Sequence, residues 1–203
     1  MKALVTGFEP FGGDQVNASL EAVGRLPQRT GAIEIVTSAL PTSYARSLPA
    51  LEAAIAHAQP DIVLAVGQAS GRAALCVERV AINVQDAEIA DNDGARPADL
   101  PVVAGGPAAY LATLPVRAAV DALRAKTLPA QLSMSAGTFV CNHVFYGLMH
   151  YAAARRNACR GGFLHVPCLP QQAAAGAPSM ALDDIVSGII IVLETAAAEP
   201  RGS

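Results

Sequence analysis

The chain has 203 residues, of which 52% are apolar and only 15% charged, with a net charge of −3 at pH 7. That composition can cover a sheet on both faces, and with no Lys/Arg run it argues against nucleic acid or a membrane surface as a partner. The length suits a single domain, residues 1–203, with a full core.

The opening apolar run is too short for a signal peptide and meets Glu9 at once, and the densest late run, Ile189 to Leu193, is far below spanning length. Cys76, Cys141, Cys159 and Cys168 show no CxxC spacing and no paired framework. A cytoplasmic protein with free thiols is the expectation.

Lys2 to Thr6 reads as a buried strand, followed by a glycine-rich loop from Gly7 to Gly13 that holds Phe8 and Phe11. Asn17 can cap a helix that ends before Pro27. The spacing of Gly7 and Gly12 invites a phosphate-loop reading, but Gly13 and Asp14 stand where Lys and Ser/Thr are needed, and Glu9 would repel phosphate. The two phenylalanines either plug the core or wall an apolar pocket at the strand ends, where open α/β sheets bind ligands.

Ile33 to Thr37 forms a second strand, Ser47 to Ala58 a helix with Pro49 tolerated near its start, and Asp61 to Val66 a third, fully apolar strand running into Gly67–Arg72. Strand, turn and helix repeat as βαβαβ. The expected fold is α/β: a single-domain α/β/α sandwich with a mainly parallel, mixed twisted sheet.

Residues 73–84 read as one further strand with Glu78 and Arg79 in its middle. Those charges are either a surface ion pair or groups with a chemical task. Asp86 to Ala112 lacks periodicity and is long enough to be a lid or binding loop. Val116, Val120 and Leu123 mark a short amphipathic helix, with Arg117 and Asp121 at a favourable four-residue spacing.

Ala130 to Ser135 is a short strand in which Leu132 and Met134 alternate with polar residues. A helix follows whose apolar face carries Cys141, Phe145, Leu148 and Ala152. Cys141 falls in its first turn, where free N–H groups and the helix dipole favour thiolate; the alternative is a small buried hydrophobe. Gly162 to Pro167 is the last strand and contains His165. Ser179 can cap a final helix with a face through Leu182, Ile185, Val186, Ile189 and Leu193.

A cysteine hydrolase needs a thiolate, an imidazole to move its proton, and a group that orients the imidazole. Cys141, His165 and Glu78 can supply these. Cys141 and His143 are too close for a good chelate, and His143 with His150 lacks a third ligand, so no metal is expected. The site also lacks a G-x-S-x-G elbow.

Five stretches, in this order, resemble the pyroglutamyl peptidases, a family of cysteine peptidases. They are Val5–Gly13, Gly67–Arg72, Glu78–Asn83, Ser135–His143 and Gly162–Pro167, which together span nearly the whole chain. The resemblance implies Cys141 as nucleophile, His165 as general base and acid, and Glu78 as the group orienting His165. It also implies removal of N-terminal pyroglutamate from peptides, with no cofactor or metal, by a homo-oligomer, dimer or tetramer.

By the same resemblance Phe8, Phe11 and Phe139 pack on the lactam ring with Ile89 near them. Gln68 and the backbone around Val140 lie near its N–H and C=O. Two positions depart from the family pattern: Glu88 stands where Arg is frequent, and Cys168 where an aromatic residue is expected. The readings from other classes are a thiol amidase acting on a small metabolite and a phosphorylase-like α/β binding protein. The second would need phosphate ligands, for which only Arg72 and Arg79 are candidates.

Overall fold

The structure, a computed structural model, describes residues 1–155 and 159–199. The first third of the chain contains β1 (Lys2–Phe8), α1 (Ala18–Gly24), β2 (Arg29–Thr30), β3 (Ile33–Leu40), α2 (Ser47–Ala58) and β4 (Ile62–Gln68). Next come β5 (Leu75–Glu78), β6 (Val80–Ile82), β7 (Ala109–Leu111) and α3 (Val116–Ala125). The remainder is β8 (Ala130–Ser133), α4 (Val140–Ala154), β9 (Arg160–Val166) and α5 (Leu182–Ala198).

The main sheet has the strand order β2-β3-β1-β4-β9-β5-β8, and β6 and β7 pair separately. β3, β1, β4 and β9 run parallel. β5 is antiparallel to β9 and parallel to β8, and β2 is antiparallel to β3. The result is the α/β/α sandwich with a mainly parallel, mixed sheet.

Every residue of β4 and of β9 is buried, Gln68, Arg160 and His165 included, as interior strands of a sheet covered on both faces are. One face packs Val5, Leu64, Val66, Leu164 and Val77 under α1, α3 and α5. The other packs Leu4, Val63, Ala65 and Phe163 under α2 and α4. Because side chains alternate along a strand, Gly67, His165, Cys76 and Glu78 all belong to the α2/α4 face. That is the face on which Cys141 arrives.

Several expectations are corrected. Residues 73–84 are not one strand: the chain breaks at Arg79, whose N–H donates to Ser133 O and whose carbonyl accepts from Ala112. β5 therefore joins the main sheet, while β6 leaves it to pair with β7. The segment 86–112 is not wholly irregular, since it ends in β7 and includes a bridge between Gln85 and Leu100. Phe8 closes β1 and does not lie in the loop. β8 stops at Ser133, which leaves Met134 exposed. The last helix is capped by Ala181 without a side-chain bond, not by Ser179, and Asp183 and Asp184 in its first turn complement the helix dipole. Asn17 does cap α1, its side chain accepting from Ser19 N.

Candidate active site

β9 sets His165 between Gly67 of β4 and Cys76 of β5. Glu78 lies one diagonal step along β5, opposite Phe163 and on the same face, within reach of a long side chain. Its Oε1 is 2.8 Å from His165 Nδ1, with both side chains buried. Nδ1 thus donates to the carboxylate, and Nε2 is left as the free base. Glu78 makes no surface pair with Arg79. Its ion-pair partner is Arg72, at 2.8 Å, and its Oε2 is buried without a hydrogen bond.

Cys141 is delivered by the start of α4. A Cβ on Gly67 would lie 2.9 Å from Cys141 Sγ and 2.8 Å from Phe163 Cζ. A bare backbone at the end of β4 is therefore what lets the thiol settle on the sheet beside the strand that carries His165. Phe139 caps α4 with no side-chain bond, and the first bond into the helix is His143 N to Phe139 O. The N–H groups of Val140, Cys141 and Asn142 thus have no acceptor within the helix.

Asn142, fully buried, pins this helix end: its Oδ1 accepts from Ile82 N, and its Nδ2 donates to Ile82 O and Val84 O. Nothing in the spacing of the sequence marked Asn142 apart from its place next to the cysteine.

Cys141 borders a narrow cleft lined also by Phe8, Phe11, Asn17, Thr42, Gln68, Phe139 and Val140. No charged residue lines it. Phe11 and Phe139 face each other at 5.9 Å, and Tyr44 buttresses Phe139 edge-on at 5.7 Å. Behind Tyr44 stands His143, whose burial pushes its pKa down to about 4.

Asn17 and Thr42, which the sequence did not mark as pocket residues, both donate to Glu9 O and so hold the loop after β1 against the cavity. Gln68 accepts at Oε1 from Ala18 N and Gln172 Nε2. Only its NH2 end is left to serve a ligand, and it can donate but not accept.

Ile89 is not brought into this cavity. It lies 48% exposed on an adjoining one with Asp86, Glu88, Thr138 and Phe139, so the two cavities share only Phe139. Cys168 is buried, its thiol donating to Ser70 Oγ at 3.2 Å. Among the described residues no group of three or more His, Cys, Asp or Glu side chains is placed to hold a metal ion.

The charge state of the thiol departs from the sequence expectation. Cys141 is only partly covered as a residue, yet protein surrounds its sulfur. Burial, reinforced by Glu78 and opposed by Arg72, pushes its pKa up to about 12. Burial also pushes His165 below the ordinary imidazole value, with Glu78 opposing and Arg72 assisting. Desolvation is the largest influence on both groups, and in both it favours the neutral form.

A pH profile checks this. With His165 as the expected base and Cys141 as the expected nucleophile, the acid limb of kcat/KM should fall below about 6.5, and inactivation by iodoacetamide should keep accelerating above pH 9. An alkylation rate already level at pH 5 would mean a standing thiolate–imidazolium pair instead.

A family model described as pyroglutamyl peptidase matches residues 1–199. Pyrrolidone-carboxylate peptidase 1 of Ralstonia nicotianae is 55% identical over 195 residues, covering 95% of this chain and 91% of that protein. The pyrrolidone-carboxylate peptidase of Brevibacillus brevis is 49% identical over 201 residues, covering 98% and 94%. Among solved structures, pyroglutamyl peptidase I of Bacillus amyloliquefaciens has a TM-score of 0.95 at 46% identity, covering 98% of this chain and 97% of that one. The pyrrolidone carboxyl peptidase of Thermococcus litoralis has a TM-score of 0.93 at 36% identity, covering 97% and 93%.

Proposed function

The chain belongs to the pyroglutamyl peptidase family, and from that premise we propose that it removes N-terminal pyroglutamate from peptides and proteins with Cys141, His165 and Glu78 as its triad. It is a cysteine-type hydrolase. The observation that carries the substrate reading is the cavity itself: small, walled by Phe8, Phe11 and Phe139, free of charged residues, and opening on Cys141. Pyroglutamate is a neutral lactam that needs apolar walls and a few amide contacts. An N-terminal ammonium would be desolvated there without a partner.

The proposed sequence uses only groups of this chain and water. Nε2 of His165 takes the proton of Cys141 as Sγ attacks the carbonyl that joins pyroglutamate to the next residue. The Cys141 N–H at the start of α4 holds the developing oxyanion, while Glu78 stabilises the imidazolium. Collapse breaks the C–N bond, and His165 gives the proton to the departing amine. Water, deprotonated by His165, then attacks the thioester, and pyroglutamate leaves with Cys141 restored as a thiol. The Gln68 NH2 group donates to the lactam C=O.

In the same reading the enzyme acts in the cytoplasm, with no nucleic-acid partner and no cofactor. The free thiols of Cys76, Cys141 and Cys168 support that location. No helix among the described residues is long and apolar enough to cross a membrane. A homo-oligomer, dimer or tetramer, belongs to the same reading.

Matched pyroglutamyl and glutaminyl peptides test the substrate. Their kcat/KM values should differ by orders of magnitude in favour of pyroglutamate, since the open chain brings an ammonium into an uncharged cavity. Comparable values would mean a general aminopeptidase or amidase.

A further inference from the structure

We propose that Arg72 is a positioning residue for the reaction, a fixed cation that locks Glu78 onto His165 and balances the charge of the site; this rests on the triad reading above. Glu78 is fully buried, and both of its hydrogen bonds converge on one oxygen. Arg72 Nη1 and His165 Nδ1 each lie 2.8 Å from Oε1, while Oε2 has no partner. A carboxylate inside the protein whose sole partner was a neutral imidazole would carry an unbalanced charge. Arg72 supplies the balance, and by occupying the same oxygen it also limits how far the carboxylate can swing away from the ring.

The guanidinium is itself held in place. Gly71, at φ +83°, turns the chain back after β4 in a conformation that side chains rarely adopt, and this aims Arg72 at β5. Its Nη2 donates to Ser135 O at 3.1 Å, on the segment that leads into α4. One side chain thus connects the acid, through it the base, and the strand-to-helix connection that presents Cys141. The planar fork of arginine can span Glu78 and Ser135 together, whereas a single ammonium cannot.

The charge balance matters most during attack. Before it, Arg72 and Glu78 cancel, and Cys141 and His165 are neutral. During it an imidazolium and an oxyanion appear together, so the site stays neutral overall only while Arg72 is present. The titratable and charged groups around His165 are Glu78 and Cys76 from β5, Arg72 from the turn after β4, and Cys141 from α4. Of these Arg72 is the one cation, within about 6 Å of the ring, where a like charge disfavours protonation. It opposes protonation of His165 and favours ionisation of Cys141.

Kinetics of Arg72→Gln and Arg72→Lys beside Glu78→Gln, on a pyroglutamyl-amide reporter across pH, test this. Arg72→Gln should keep its KM, lose on the order of a hundredfold in kcat, shift the acid limb of kcat/KM to higher pH, and slow iodoacetamide inactivation at each pH. Arg72→Lys should return the limb toward its wild-type position while kcat stays reduced, because Ser135 and Glu78 can no longer be held together. A wild-type kcat in Arg72→Gln would overturn the inference. So would a reduced kcat with an unmoved limb, which is what a mere brace would give.

If Arg72→Gln does not fold, Arg72→Lys decides: wild-type kcat, or a limb displaced although the charge is kept, overturns the role. Near-wild-type Glu78→Gln would bring down the triad reading and this inference with it. A crippled Glu78→Gln beside an unaffected Arg72→Gln would remove this inference alone.

Discussion

Cys141→Ser should leave a folded protein whose kcat on a pyroglutamyl-amide reporter is lower by on the order of a thousandfold or more. The base available to it, Nε2 of His165, is held below ordinary imidazole basicity by burial. Such a base can follow a thiol proton into the transition state far more readily than a hydroxyl proton. Serine is also the smaller residue, and the gap over Gly67 is shaped for sulfur. The comparison that gives the result meaning is Ala at Cys76, Cys159 and Cys168, all buried. Each should remain far more active than Cys141→Ser when unfolding curves show the fold intact. Equal damage from Cys168→Ala, whose thiol is bonded to Ser70 at the mouth of the turn, would mean that the nucleophile has been misassigned.

Glu78→Gln should keep the fold and lose about three to four orders of magnitude in kcat/KM. The amide is nearly isosteric, so Oε1 can still accept from Nδ1, but the negative charge that stabilises the imidazolium is gone. Arg72 is then left facing a neutral amide. Both effects raise the barrier without opening a cavity. Were Glu78 an exposed partner of Arg79, the same change would be worth at most about 1 kcal/mol, less than tenfold in rate. A near-wild-type kcat/KM would rule out the orienting role.

Much of this site could be read from residue types, because the chemistry demands thiol, imidazole and carboxylate, and the strands that carry two of them have strong patterns. The apolar run of β4, the strand around His165, the Asn17 cap and the whole of α2 were legible for that reason. What escaped depends on contacts remote in sequence. Alternation continues across Arg79, so nothing local announces that β5 and β6 join different sheets; the cause is the pair of bonds from Arg79 to Ser133 and Ala112. A helix start predicts a thiolate at Cys141, but the desolvation that reverses the prediction comes from side chains on other elements. Arg72 resembled a phosphate ligand beside a glycine turn until the fold set it against Glu78. Ile89 and Phe139 looked equivalent as pocket walls, and only the path of the loop separates them.

β9 is the last strand to emerge during synthesis, yet it occupies an interior place in the sheet, between β4 and β5. Without it, the strand order divides into two blocks, β2-β3-β1-β4 and β5-β8, the first carrying Gly67 and the second Glu78. The strand that joins the blocks also brings His165, 87 residues from its carboxylate. Closing the sheet and forming the Glu78–His165 pair therefore depend on the same strand. A growing or partly refolded chain can possess its thiol and its carboxylate and still be inert. The protease comes into being only with its final inserted strand, after the long-range pairing that is the slow part of such topologies.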